Sequence, residues 1–266
     1  MDLHRLPRCV SLWRRETLCI GWDTRRVALV RKRGRALVEA CSAQAPAADV
    51  AARAALLEGM LRAGSRRATR LECVVSDRFA RYFIFERVDG LRNLAELEAT
   101  VVAGFEVRFG ESAADWRIAF DLGPFDRHGV ACALPTALVD AFNDLAAGAT
   151  VSIEAYCIAA LRRHARALTA PTWVAARADG QLTLGRHSGT RWLSLRTLEG
   201  DDGGTLEALV AREALRLSET DPGGPIIAIG DWPAGNGQRV LGNTFWPGQS
   251  AGFPDDFRVA LAGFAQ

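Results

Sequence analysis

Apolar and polar positions alternate in short bursts from Thr17 to Gln44, and the bursts predict three strands folded back on one another. Leu18-Cys-Ile-Gly-Trp22 is an almost unbroken apolar run, as suits a strand covered on both faces. Arg26 to Arg31 supplies β-branched and apolar content between charged ends, and Arg33-Gly34 makes a polar turn. In the third strand Val38, Ala40 and Ser42 are expected on one side and Leu37, Glu39 and Cys41 on the other. A helix over 47–63 follows, with Val50, Ala54, Leu57 and Leu61 on one stripe and Gly64 as its stop.

Strands are then predicted at Arg70–Ser76 and Arg81–Glu86, separated by an Asp77-Arg78 turn. Asn93 with Glu96 three residues on reads as a cap for a helix that buries Leu94, Leu97, Val101, Phe105 and Phe109 and ends at Gly110. Trp116–Asp121 and Gly129–Leu134 read as paired strands, and Pro135 opens a helix carrying Leu138, Phe142 and Leu145, closed by Gly148. Val151–Ala155 is a further strand, and an arginine-rich helix is expected from Ile158 to Leu168. Beyond Ala170-Pro171 the opening plan returns: strands at Thr172–Arg177, Gln181–Gly185 and Arg191–Arg196, then a helix over 205–218 with Leu206, Val210, Ala214 and Leu217 inward. Pro225–Gly230 is a buried strand, followed by a loop and, from Gln238, a loop-rich tail with a short helix from Asp255.

Two halves that each open with a β-meander and a helix define an α/β fold: two lobes of ribonuclease-H-like character, related by duplication, on the actin-like plan. The division is an extension over 1–16, a first lobe with an inserted subdomain over 17–170, and a second lobe over 171–266. An unrelated two-lobed binding module is the alternative at this level.

Composition narrows the chemistry only slightly. The 266 residues, 49% hydrophobic and 24% charged with net charge +2, suit one large domain or two lobes and point to no polyanionic partner. Of the 33 basic residues only Lys32 is lysine. Arginine clusters at 31–35, 66–70 and 162–166 lack interleaved aromatic residues, so nucleic acid is not expected. Six cysteines show no C-x-x-C spacing and most sit within apolar strand patterns, which argues against a zinc site or disulfide framework and for a reducing cytoplasm. No run reaches the ~18 apolar residues needed to cross a bilayer, and the arginine-studded first fifteen residues do not form a secretory signal.

The chemical candidates lie at the turns. In the actin-like fold, the first turn of each meander grips phosphate through an Asp, a nearby Gly and a Ser or Thr, because glycine lets backbone amides approach the anion. Here the first turn is Asp23-Thr24-Arg25, with arginine where the glycine would stand, and the second is Asp179-Gly180. Gly230 occupies the position of an adenosine-binding glycine pair. Asp23, Thr24, Asp179, Gly180 and Gly230 are therefore the candidate cofactor residues; no catalytic set and no metal ligands are expected. A P-loop, G-x-G-x-x-G, G-x-S-x-G and H-E-x-x-H are all absent. The four histidines are far apart in turn or surface contexts, and Ser76-Asp77 reads as a strand-end turn.

Two segments resemble a known family. Leu18 to Arg31, continuing through Leu37-Val-Glu-Ala40, is similar to the opening of the type IV pilus assembly protein PilM. Cys73-Val-Val-Ser-Asp-Arg-Phe-Ala-Arg-Tyr82, with Phe105–Gly110 and Trp116, resembles the cytoplasmic actin-like domain of GspL-type type II secretion proteins. The resemblance implies a non-catalytic cytoplasmic scaffold, peripheral at the inner face of the cytoplasmic membrane. Its implied partner is an inner-membrane protein with a short cytoplasmic tail, or the assembly ATPase. PilM-like proteins can hold ATP, whereas GspL-like domains generally do not need nucleotide; no cofactor is expected here. The competing expectation is a small-molecule or sugar kinase of the same fold, with Asp23 and Thr24 at the phosphates.

Overall fold

Three sheets organise the chain, and the computed structural model describes residues 16–34, 36–45, 49–63, 69–123, 126–146, 148–162, 168–198, 205–218, 223–230, 232 and 259–260. Within the first sheet are β1 (Glu16–Trp22), β2 (Arg26–Arg33), β3 (Ala36–Gln44), β4 (Arg70–Val75) and β8 (Thr150–Ala155), in the order β3-β2-β1-β4-β8. The meander is antiparallel, while β4 and β8 run parallel to β1. A second sheet is built from β9 (Pro171–Ala178), β10 (Gln181–Ser188), β11 (Trp192–Leu198) and β12 (Ile226–Gly230), ordered β11-β10-β9-β12 with β12 parallel to β9. The motif is the same in both: meander, helix, then a parallel strand beside the first one. The ribbons belong to two separate sheets, as a duplicated two-lobed fold requires.

A third sheet, β5 (Arg81–Glu86), β7 (His128–Pro135) and β6 (Trp116–Asp121), is inserted between β4 and β8. It is covered by α2 (Leu94–Phe109). Phe83, Phe85 and Phe105 form its core with Phe109, Trp116 and Phe120, the ring centroids 5.1–6.5 Å apart. Asn93 caps α2 by accepting from the Glu96 amide at 2.9 Å, and Gly110 ends it in a left-handed conformation at φ 67°. Leu94 is 62% exposed, because the aromatic core begins one turn later, at Leu97.

The largest core lies between the first sheet, α1 (Val50–Ala63), α3 (Thr136–Leu145), α4 (Tyr156–Leu161) and one face of the second sheet. On the other face of the second sheet, Trp173, Ala175 and Leu184 pack against Leu206, Val210 and Ala214 of α5 (Leu206–Arg216). Alternate residues of β9 thus serve two cores, which explains its continuous apolar run.

Two further expectations shift. In β3 a bulge at Val38, between the pairs Arg31–Glu39 and Lys32–Leu37, puts Leu37 on the same face as Ala40 while Cys41 and Ala43 face the main core. The arginine-rich helix starts at Tyr156, two residues earlier than expected, and Arg163–Arg166 lie outside the described residues. So do the segment before Glu16, Gly64, Arg66 and Arg67, most of the loop after Gly230, and the tail from Gln238 with its helix from Asp255, apart from Val259 and Ala260.

Candidate functional site

The carboxyl ends of β1, β4 and β9 converge, and the residues just past them hydrogen-bond to one another, closing the cleft between the lobes. Asp23 follows β1, and its Oδ1 accepts the amides of Arg25 and Arg26, each at 2.7 Å, so this carboxylate is used to close its own turn. Burial and the nearby charge of Asp179 push the Asp23 carboxyl above its ordinary value, against those two amide bonds. From α1, the buried Arg53 reaches under the turn. Its Nη1 donates to the Asp23 carbonyl and its Nη2 to the Thr24 carbonyl, while the guanidinium lies 5.5 Å from the Trp22 ring centroid.

Across the cleft, Asp179 and Gly180 form a two-residue hairpin turn at φ 55° and 68°. Positive φ at both positions marks the turn type in which Asp-Gly is favoured. The Asp179 side chain leaves this turn and enters the opposite one. Its Oδ2 accepts the Thr24 amide at 2.9 Å and the Ser76 hydroxyl at 2.8 Å, and its Oδ1 accepts the Thr24 hydroxyl at 2.5 Å.

Two further bridges run beside this one. Arg78 Nη1 donates to Gln181 Oε1 at 3.3 Å, and Thr183 Oγ1 donates to Asp77 Oδ2 at 2.7 Å. Three consecutive residues, Ser76 to Arg78, thereby grip positions 179, 181 and 183, which share one side of the hairpin by strand alternation. Asp77 is fully enclosed; its Oδ1 also accepts Tyr82 Oη at 2.7 Å and the Cys157 amide at 3.0 Å. Burial pushes the Asp77 carboxyl above its ordinary value, opposed by those hydrogen bonds, and its charge adds to the burial that raises Tyr82, Cys132 and Cys157.

Gly230 ends β12 at φ 93°, and a Cβ there would overlap the Arg177 carbonyl oxygen. Its role is close backbone approach. Trp232 sits beside it, donating from Nε1 to the Ile229 carbonyl at 3.1 Å, with Arg177 over its ring.

The cleft thus brings Thr24, Asp179 and Gly180 together, turns Asp23 onto its own backbone, and keeps Gly230 as a packing position. Sequence reasoning missed Arg53, Ser76 and Asp77 as members. A signal existed for Arg53, which lies four residues before Leu57 on the inward stripe of α1; none existed for Asp77, whose burial depends on Cys157 and Thr183, remote in the sequence. Among the described residues no group of three or more His, Cys, Asp or Glu could hold a metal ion. His187, in β10, packs against Trp192, and His128, which opens β7 of the third sheet, hydrogen-bonds with Arg191.

Duplicated meanders, each continued by a helix and a parallel strand, with a cleft between their turns, define the two-lobed actin-like fold. Solved structures agree. The chain is similar to the PilM–PilN type IV pilus biogenesis complex at 18% identity, over 79% of this chain and 67% of that one, with a TM-score of 0.51. It is similar to the cytoplasmic domain of EpsL, an inner membrane component of the type II secretion system of Vibrio cholerae, at 13% identity over 82% and 83%, TM-score 0.52. A Bacteroides thetaiotaomicron protein with an actin-like ATPase fold and unknown function matches at 8% identity over 83% and 84%, TM-score 0.54. No protein-family model and no curated protein matches the chain.

Proposed function

We propose that this chain is a non-catalytic actin-like scaffold of a type IV pilus or type II secretion-like assembly, with lobes over 17–170 and 171–266. It works at the inner face of the cytoplasmic membrane and recruits a membrane-spanning protein with a short cytoplasmic tail, or the assembly ATPase. One observation carries the non-catalytic half: the Thr24 donors of the first turn that would meet a phosphate, with the neighbouring Ser76 hydroxyl, already hold the Asp179 carboxylate. Among the described residues no helix is long and apolar enough to cross a membrane.

A groove between α1 and α3 supports the recruiting half. It encloses about 1290 Å³ and is walled by Val50, Ala54, Leu61, Ala141 and Leu145; on its rim stand Asp49 and Asp144, with Glu58 paired to Arg62 and Asp140 to Arg117. Cytoplasmic flanks of single-span proteins are enriched in Lys and Arg, so a tail with apolar residues between basic ones complements this surface.

Titration with Mg-ATP, followed by a turnover assay, tests the main reading. No saturable binding and no phosphate release are expected. Micromolar affinity with turnover would overturn the scaffold and favour the kinase alternative.

A further inference from the structure

Ligands of open α/β sheets collect outside the carboxyl ends of parallel strands, where backbone amides and strand-end side chains converge. β1 and β4 are parallel with Trp22 opposite Val75, and the Ser76 amide donates to the Trp22 carbonyl at 2.8 Å. Thr24 and Ser76 therefore sit side by side at that end. They present one amide and two hydroxyls to a single point, the donor set of an oxyanion site.

We propose that Thr24 and Ser76 form an oxyanion site whose resident ligand is the chain's own Asp179 carboxylate, which latches the second lobe onto the first and keeps out phosphate groups. This deepens the reading of the cleft as closed and rests on it. All three contacts are hydrogen bonds from neutral donors to a charged acceptor, the stronger kind. Ser76 is fully buried, so its hydroxyl has no solvent to fall back on. The latch is also local. Asp179 sits at φ 55°, a conformation that glycine adopts without strain, so Asp179→Gly removes the carboxylate while preserving the turn.

The test compares wild type, Asp179→Gly and Asp179→Gly/Ser76→Ala. Amide hydrogen exchange at Thr24 is expected to quicken at least tenfold in Asp179→Gly, with the cooperative unfolding transition retained. Inorganic pyrophosphate, titrated calorimetrically, is expected to bind Asp179→Gly at least tenfold more tightly than wild type, and the added Ser76→Ala change to abolish the gain. ATP in a parallel arm separates sources: equal affinity marks a phosphate-only site, and tenfold tighter ATP marks one that also holds the nucleoside. Unchanged Thr24 exchange, pyrophosphate affinity equal to wild type, or a gain that survives Ser76→Ala would each overturn the latch. None of these outcomes bears on turnover, the quantity that decides the scaffold reading.

Discussion

Asp77 and Thr183 are 106 positions apart and on different lobes, yet the threonine hydroxyl donates to the aspartate Oδ2 at 2.7 Å with both residues buried. The same carboxylate holds Tyr82 and the start of α4, so one buried group ties elements of both lobes together. Asp77→Asn, which turns one acceptor into a donor among donors, is expected to cost about 2 kcal/mol, and Asp77→Ala about 3–5 kcal/mol, measured by urea unfolding. The pH dependence has a definite sign. Because burial raises the folded-state value above the ordinary 3.8, the native protein retains a proton that the unfolded chain releases. This group's contribution is fully present below 3.8 and declines as pH rises toward the raised value. Asp77→Asn should flatten that slope, and an unchanged slope would count against the assignment.

Arg53 binds two successive carbonyls with its two terminal nitrogens, a geometry that a lysine ammonium cannot reproduce. Arg53→Lys should therefore lose nearly as much stability as Arg53→Ala, about 3 kcal/mol in each case. If lysine restored most of the stability in thermal melts, charge alone would explain the site.

Two glycines with nearly equal φ separate backbone strain from steric exclusion. Gly90, at φ 92°, has open space within 4 Å of the point an added methyl group would occupy, and Gly90→Ala should cost about 1 kcal/mol. Gly230, at φ 93°, would drive its methyl into the Arg177 carbonyl, and Gly230→Ala should cost about 3 kcal/mol or more, enough to lower soluble yield. Equal melting temperatures for the two variants would refute the close contact.

The groove between α1 and α3 can be closed without touching the cleft. Ala141→Trp should block binding of a peptide with apolar residues between basic ones, and Asp140→Lys with Asp144→Lys should weaken it at least tenfold. Binding that survives both changes would move the docking surface elsewhere.

Much of this architecture is readable in the chain. The meanders announce themselves through apolar runs broken by Arg33-Gly34 and Asp179-Gly180, and Asn93, Glu96 and Gly110 mark α2 at both ends. Local pattern also locates the turns that meet in the cleft. It cannot show that they meet, since the Thr24–Asp179 bond spans 155 positions and depends on how two sheets pack. Asp77 in a polar turn context looks solvated; only the fold encloses it. The bulge at Val38 is equally hidden, because a one-residue slip leaves the composition of β3 unaltered.

Lys32, the sole lysine, is buried on the first sheet with its ammonium 2.6 Å from Glu72. A surface whose cations are guanidinium groups offers no side-chain amine for acylation or for amine-directed crosslinkers. Thiol attachment on the folded protein is the natural alternative, and the partly accessible Cys41 is the first place to look.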